Sequence, residues 1–425
     1  MANPVSRRAF AASLSLPALM RQGGANSRIG VAFIGVGNRG RQLLEAVLPN
    51  ADVQVVALCD VYEPYLRREA ERFGGRVRLE KDYRRVLEMK EVDAVFIATP
   101  DHWHALQTVD ACDAGKDVYV EKPLSMTVVE GRRMVEAARR NARVVQVGLQ
   151  RRSSAMYRRI CQLVQSDAAG KITVARAYRI TNMWPMGIGK APNGPPPPDL
   201  DWDLWLGPRP ARPFNPNIAP YKFRWWQQYS SQVANWGVHY FDILRYVLGE
   251  AAPSSLSAHG GKYAIDDDRD IPDTMEVTFE FASGRLMLFG QYEASGMPMW
   301  ERAEVELRGT KGCILAGSRG FELVPETPGQ FQEKGERAAA VRDATPDGNL
   351  DRLHVRDFLD CVASRATPAC DVEEGHRSTT FAHLANIALA TRSRLVWDAK
   401  AERVVGNPRA NGLLHYRYRS PWRLR

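Results

Sequence analysis

The sequence predicts a two-part α/β protein: a doubly wound parallel sheet first, then an α+β half whose sheet is mostly antiparallel. Three observations carry this. Apolar, β-branched runs alternate with helical patterns from residue 29 to 148, the rhythm of a parallel sheet with helices on both faces. The first run leads straight into a glycine-rich turn, Gly35-Val36-Gly37-Asn38-Arg39-Gly40. Beyond Arg151 the rhythm stops, and pairs of strand-like runs joined by short glycine turns replace it.

Ile29–Ile34 reads as a buried strand. The glycine turn follows, and residues 42–47 read as the start of a helix. In that strand–turn–helix setting each glycine has a purpose. The first permits the tight turn, the second lets backbone approach a pyrophosphate, and the third lets helix pack on strand. The helix N-terminus then faces the phosphate charge. The next run, Val53–Cys59, ends in Asp60, about 20 residues beyond the glycines, where a carboxylate accepts hydrogen bonds from both ribose hydroxyls. A 2′-phosphate there would meet a like charge, so NAD is expected rather than NADP. The alternative for Asp60 is an ordinary helix N-cap.

Residues 92–98 form a strand ending at Thr99-Pro100, and 102–114 a helix. Asp117–Val120 is a strand followed by Glu121-Lys122-Pro123. Val128–Arg140 is a helix, and 144–148 a strand that runs on to Gln150. Ligands of such sheets sit beyond the carboxyl ends of the strands. The loops that start at Gly35, Asp60, Thr99, Glu121 and Gln150 therefore converge on one crevice. This divides the chain into a dinucleotide-binding domain, 28–150, and a substrate-binding and oligomerisation domain, 151–425.

The second part opens with a helix, 156–164, and a strand, 172–180. A long irregular segment follows, APNGPPPPDLDWDLWLGPRPARPFNP. Its tryptophans argue against disorder, because they bury large area when packed. TMEVTFEFASGRLMLFGQYEA reads as two strands around Ser283-Gly284, and AEVELRGTKGCILAG as another pair turning at Thr310-Lys311-Gly312. The helix ANWGVHYFDILRYVLG carries a chemical signal. At about 100° per residue, Tyr240, Ile243, Leu244, Val247 and Leu248 share one face. Asn235, His239, Asp242 and Tyr246 form a stripe on roughly the opposite one. An amide, an imidazole, a carboxylate and a phenol suit a cleft wall better than a solvated surface; a structural His–Asp pair is the alternative.

The net charge of +9 is spread along the chain, with a small concentration in the last ten residues, YRYRSPWRLR. Without basic residues clustered on one element, nucleic acid is not an expected partner. The six cysteines form no CxxC pair and no zinc spacing. Ser6-Arg7-Arg8-Ala9-Phe10, followed by a mildly apolar run over 9–20, has the order of a twin-arginine signal. Residues 1–27 are therefore expected to be signal and linker, recognised by the twin-arginine export machinery, and the mature protein periplasmic or extracellular. The alternative is a frayed N-terminus on a cytoplasmic protein. The run is too short to span a bilayer, which takes about 20 apolar residues.

GVGNRG, TPDHWHA, YVEKPLS, GLQRR, DLDWDLWLGP, FRWWQQYSSQVANWGVHYFD and AHLANIALATR together resemble the glucose–fructose oxidoreductase / inositol dehydrogenase / rhizopine-catabolism (Gfo/Idh/MocA) family. The resemblance covers essentially the whole chain after the signal. It implies an N-terminal Rossmann domain and a C-terminal domain with a large, mainly antiparallel sheet that commonly mediates homo-oligomers. It implies sugars, polyols or their derivatives as substrates. It implies that Lys122 lies beside the nicotinamide and the substrate hydroxyl, and that His239 is the acid/base. His104 matches the histidine that the family places after the fourth strand. Many members carry aspartate where this chain has Asn235; asparagine there is similar to one exported sugar-active branch. The exchange removes a negative charge that would raise the pKa of His239.

The cofactor contacts expected are Gly35, Gly37, Asn38, Arg39, Gly40, Asp60, Thr99, Pro100, His104, Glu121, Lys122 and Gln150. Oxidising a secondary alcohol needs a base for the hydroxyl proton, here His239, and a group to stabilise alkoxide charge, here Lys122. Asn235 and Asp242 would orient the imidazole or bind sugar hydroxyls. Arg151 and Arg152 are candidate substrate ligands, with solvated helix-start arginines as the alternative. Trp184, Trp225, Trp226 and Trp236 are candidates to stack on a sugar face, with core packing as the alternative. His102 and His104, two apart on a helix, point in different directions, so no metal is expected. Two activities share these residues: an NAD-dependent sugar or polyol oxidoreductase, and a redox-neutral NAD-dependent glycoside hydrolase. A non-catalytic sugar-binding protein is a third reading, against which intact Lys122 and His239 argue. Twin-arginine export moves folded proteins, which favours tightly held NAD regenerated within the cycle.

Overall fold

A computed structural model describes residues 28–297, 303–331 and 334–425. The candidate export signal at residues 6–10 lies outside the described residues. The first layer is a six-stranded sheet of β1 (Ile29–Ile34), β2 (Val53–Cys59), β3 (Arg78–Glu80), β4 (Ala94–Ile97), β5 (Asp117–Val120) and β6 (Val145–Val147). Its order is β3-β2-β1-β4-β5-β6, and all neighbours are parallel. Its helices are α1 (Asn38–Val47), α2 (Glu63–Ala70), α3 (Tyr83–Leu87), α4 (His104–Asp113) and α5 (Val128–Arg140). Most boundaries move by one or two residues, and two differences bear on the site. Helix α1 starts at the glycine turn itself, four residues early. The helix expected over 102–114 is instead a 3₁₀ turn, Asp101–Trp103, followed by α4.

The second layer is an eleven-stranded sheet, again among the described residues. Helix α6 (Ala155–Gln165) precedes β7 (Ile172–Asn182). Helices α7 (Trp202–Leu206) and α8 (Val238–Leu248) come next. Then follow β8 (Ser255–Gly261), β9 (Thr274–Glu280), β10 (Leu286–Tyr292), β11 (Ala294–Ser295), β12 (Val305–Gly309), β13 (Gly312–Gly317), β14 (Gly320–Pro325) and β15 (Val341–Asp343). Helices α9 (Leu350–Ser364) and α10 (Val372–Thr391) lead to β16 (Leu395–Asp398) and β17 (Arg403–Val404). The expected hairpins are β9–β10 and β12–β13, both antiparallel. The β7–β10 pair is parallel, so the sheet is mixed but mainly antiparallel. In its core Phe241 of α8 meets Phe279 and Phe289 edge-on at 5.2 Å each, with Phe381 of α10 at 4.9 Å from Phe279.

Three features tie the two layers together. Helix α9 returns to the first sheet, where Val355, Phe358 and Leu359, spaced to share one helix face, are fully buried. Phe358 meets Phe96 of β4 edge-on at 5.4 Å. The long proline- and tryptophan-rich segment packs around its own apolar cluster, with Trp202 stacked on Trp205 at 4.9 Å. It is pinned to the first layer by hydrogen bonds from Glu63 N to Asp199 O and from Asp201 N to Val61 O, each 3.0 Å. The basic C-terminal ten residues dock on the same body: Trp422 sits edge-on to Trp103 at 4.8 Å, under the Arg84 guanidinium. All six cysteines are free. No helix among the described residues is long and apolar enough to cross a membrane, and no described His, Cys, Asp or Glu cluster could hold a metal.

Candidate active site

A cleft lies beyond the carboxyl ends of β1, β2, β4 and β5. Gly35, Gly37, Asn38, Arg39, Asp60, Thr99, Pro100, His104, Glu121, Lys122 and Asn235 line it. Gly35 has φ +88°, and a Cβ there would stand 2.7 Å from the Ala98–Thr99 backbone. Gly40 lies beneath the wall, where a Cβ would strike the Gly35 carbonyl at 2.0 Å. Both positions therefore require glycine. At Gly37 a Cβ would meet the Tyr65 ring at 3.1 Å, so this glycine admits an aromatic floor. Helix α1 has no side-chain cap and no acid in its first turn. Its orphan N–H groups are thus free to face an anion.

Asp60 accepts hydrogen bonds from Val36 N at 2.9 Å and Tyr62 N at 3.0 Å, which locks it to the glycine turn. Burial pushes its pKa up to about 6, against the pull of those N–H groups, and it remains a carboxylate at neutral pH. The cradle, the uncapped helix and this carboxylate fit NAD. Arg39 is engaged elsewhere: it meets Glu121 at 2.6 Å and Asp351 of α9 through two bonds of 2.9 Å. His104 joins two loops, with Nδ1 2.7 Å from Pro123 O and Nε2 3.0 Å from Thr99 O. Tyr62, Tyr65, Tyr83, Trp205, Tyr221, Phe223 and Arg224 also line the cleft and escaped the sequence reading. Of these only Trp205 belongs to the tryptophan-rich segment, whose composition signalled packing; no local pattern marks the others.

The chemical end of the cleft is built on Lys122. Its Nζ donates to both the backbone oxygen and Oδ1 of Asn235, each at 2.8 Å. Asn235 lies in a π-helical turn, Val233–Gly237, that feeds α8. Such wide turns disturb the regular backbone ladder and occur at functional sites; here the Asn235 carbonyl faces the ammonium. Burial draws Lys122 down to about 8, while the Glu121 and Asp101 carboxylates oppose the shift. Asp101 is itself buried and held by the Ser230 hydroxyl. His239 is held well below the usual imidazole value, first by burial, then by the positive charges of Lys122, Arg151 and Arg39. It is neutral at physiological pH, and its buried Nδ1 has no hydrogen-bond partner. The Trp236 ring centre lies 6.3 Å from it.

Other predicted residues lie elsewhere. Asp242 is not on the cleft wall. Its side chain is 1% exposed and takes Arg152 Nε on both oxygens, at 2.9 and 3.0 Å, with Ser378 donating at 2.7 Å. Arg152 is also buried and reaches Glu374 at 3.0 Å. The pair is corrected to a buried ion network, because a guanidinium and a carboxylate this deep satisfy each other rather than a ligand. Arg151 bonds Glu304 at 2.8 Å and lies over the Tyr240 ring. Gln150 is off the cofactor wall, with a buried, unpartnered Oε1. Trp226 is buried and donates to Asn217 O, Trp225 donates to Glu293, and Trp184 is exposed. His102 is buried against Trp205 O at 2.8 Å, and burial draws its pKa down to about 3.

A doubly wound sheet, a glycine cradle and a buried lysine at the cofactor cleft define an NAD-dependent oxidoreductase. Residues 29–149 match the NAD-binding Rossmann fold of an oxidoreductase family, and residues 155–424 match that family's C-terminal alpha/beta domain. The chain belongs to this Gfo/Idh/MocA family. It is 25% identical over 383 residues to myo-inositol 2-dehydrogenase of Thermotoga maritima, covering 89% of this chain and all of that one. It is 33% identical over 118 residues to an alpha-N-acetylgalactosaminidase of Shewanella oneidensis, covering 26% of each. The structure of GenD2 from gentamicin A biosynthesis, in complex with NAD, aligns with a TM-score of 0.66 at 21% identity, covering 90% of this chain and all of that one.

Proposed function

We propose that the protein oxidises a secondary hydroxyl of a sugar, glycoside or polyol and keeps its NAD bound between turnovers. The observation that carries this is the Lys122 ammonium, fixed at the cofactor cleft by two oxygens of Asn235, four residues before the neutral His239 on the helix that follows. NAD, when bound, accepts the hydride. Two of the three Nζ–H groups are taken by Asn235, which leaves one for the substrate hydroxyl. As the C–H bond breaks, that ammonium stabilises the alkoxide, a preorganised charge that needs no rearrangement at the moment of reaction. Neutral His239 takes the hydroxyl proton. Burial makes it a weak base in the resting protein, and the growing alkoxide charge beside it favours the imidazolium.

The partial match to the galactosaminidase favours a second reading, in which the same residues oxidise a glycoside transiently, release the aglycone and reduce the sugar again. The Ser6–Phe10 twin-arginine pattern supports export of the folded protein with NAD already bound, and the family resemblance supports self-association through the large sheet. Both fit a retained cofactor.

The test uses protein purified without added nucleotide. Retained NAD is measured after denaturation, and a panel of free sugars and chromogenic glycosides is then offered. NADH formed in proportion to free sugar supports the oxidoreductase. Aglycone release without net NADH supports the hydrolase. His239→Ala is expected to lose about 100-fold or more of either activity; near-full activity would sink its acid/base role.

A further inference from the structure

Strand β7 carries a charge where its pattern calls for core. Side chains alternate along a strand. Ala175 and Ala177 share one face and are fully buried beneath the helices. Arg179 takes the next position on that face, opposite Gln291 of β10. The residue is half-buried, and a guanidinium drawn out of water in this way normally finds a carboxylate. Among the described residues none reaches Arg179, and its Nε is buried without a partner. Its contact is the face of Trp236, with the guanidinium carbon 3.7 Å from the ring centre, and Trp236 adjoins His239. Glu304, whose carboxylate feels the Arg179 charge, is occupied by Arg151 and the Tyr240 hydroxyl, at 2.8 and 3.0 Å. Glu121, the acid next to Lys122, is occupied by Arg39. The Trp236–His239 corner thus holds a planar cation that is stacked and oriented and, among the described residues, has no carboxylate bonded to it.

We propose that Arg179, clamped on Trp236, is a carboxylate-binding residue and that the substrate is an acidic sugar, a uronate or an aldonate, or a glycoside of one. This rests on the sugar-oxidising reading and narrows it. A guanidinium presents two parallel N–H groups that match a planar carboxylate. Stacking on Trp236 fixes that fork before the ligand arrives, so little side-chain entropy is lost on binding.

The full-length, NAD-retaining protein is titrated calorimetrically with glucose, glucuronate, galacturonate, gluconate and glucose 6-phosphate, and NAD reduction is followed for each. At least one of the carboxylates is expected to bind about 100-fold more tightly than glucose. Arg179→Met, which keeps apolar contact with Trp236, should bring that acid to parity with glucose. Arg179→Lys, which keeps charge but not the fork, should recover only part of the difference, and both variants should keep the wild-type circular dichroism. Equal binding of acids and glucose, no binding of any acid, a preference for the phosphate, or an acid preference that survives Arg179→Met would each overturn the proposal. Reduction of NAD by glucose with no acid preference overturns the Arg179 site alone. Tight acid binding without NAD reduction by any sugar overturns the oxidoreductase reading and leaves the site standing.

Discussion

In the proposed function, the charge of Lys122 sets the working pH. Burial favours its neutral amine, so its pKa in the folded protein, about 8, lies below the ordinary lysine value of 10.5. Below pH 8 it is an ammonium, the form that the proposed function needs for an alkoxide, and above pH 8 that charge is lost. The rate of sugar oxidation is therefore expected to fall on an alkaline limb near pH 8. Asp101 opposes the shift, and its carboxylate sits on the 3₁₀ turn before α4. Replacing it by asparagine removes that support, so Asp101→Asn should move the limb to lower pH. A pH–rate profile measured for both proteins checks this; a limb that stays in place would show that another group sets it. Asn235 does not offer Lys122 a counter-charge. It fixes the position of Nζ while leaving the ammonium uncompensated, which an aspartate at that position would not do.

Helix α8 shows where a periodic reading of sequence holds and where it stops. The glycine turn, the Asp60 acid and the Glu121-Lys122 loop were legible because each is a local pattern at a strand end, and the order of alternating elements alone predicts that those ends converge. The polar stripe of Asn235, His239 and Asp242 was read at one constant period. The π-helical turn over Val233–Gly237 shifts Asn235 relative to the regular helix that carries His239 and Asp242, and within that helix Asp242 is drawn inward by a charged partner. Its partner Arg152 is 90 residues away, and no local signal reports a pairing at that distance. Arg179 was missed for a similar reason: one arginine in a strand is unremarkable until the register shows which face it occupies. The buried assignment of Asp242 makes its own prediction. Asp242→Ala leaves Arg152 and Arg245 with less compensating charge in the core, and should cost about 3–5 kcal/mol of stability. Denaturant unfolding measures this. A loss below about 1 kcal/mol, the range of an exposed pair, would return Asp242 to the cleft.

At the scale of the molecule, the chain closes on itself in a way that couples cofactor binding to folding. The first sheet does not complete its own core. Val355, Phe358 and Leu359 of α9 cover one of its faces, and the C-terminal residues Tyr418, Trp422 and Leu424 pack against the other cluster. Trp103 lies between the tail and the cleft: it lines the cleft, donates to Trp205 O at 3.0 Å, and receives the edge of Trp422. Tyr418 donates to Glu130 at 2.5 Å, and Arg419 Nε to Gly207 O at 3.0 Å. Two halves that share cores this way should unfold in one transition rather than two. Removing residues 416–425 exposes Trp103 and loses the Trp422 contact, a change of the order of 3–5 kcal/mol for an aromatic anchor. Because Trp103 and Trp205 also form the wall over the cofactor, the truncated protein should retain less NAD as well as melt at lower temperature. Thermal unfolding with and without added NAD checks both. One transition in the full chain, raised by NAD, and a lower one with a reduced NAD content after truncation are expected. An unchanged NAD content with a lowered transition would mean that the tail braces the fold without reaching the cofactor wall.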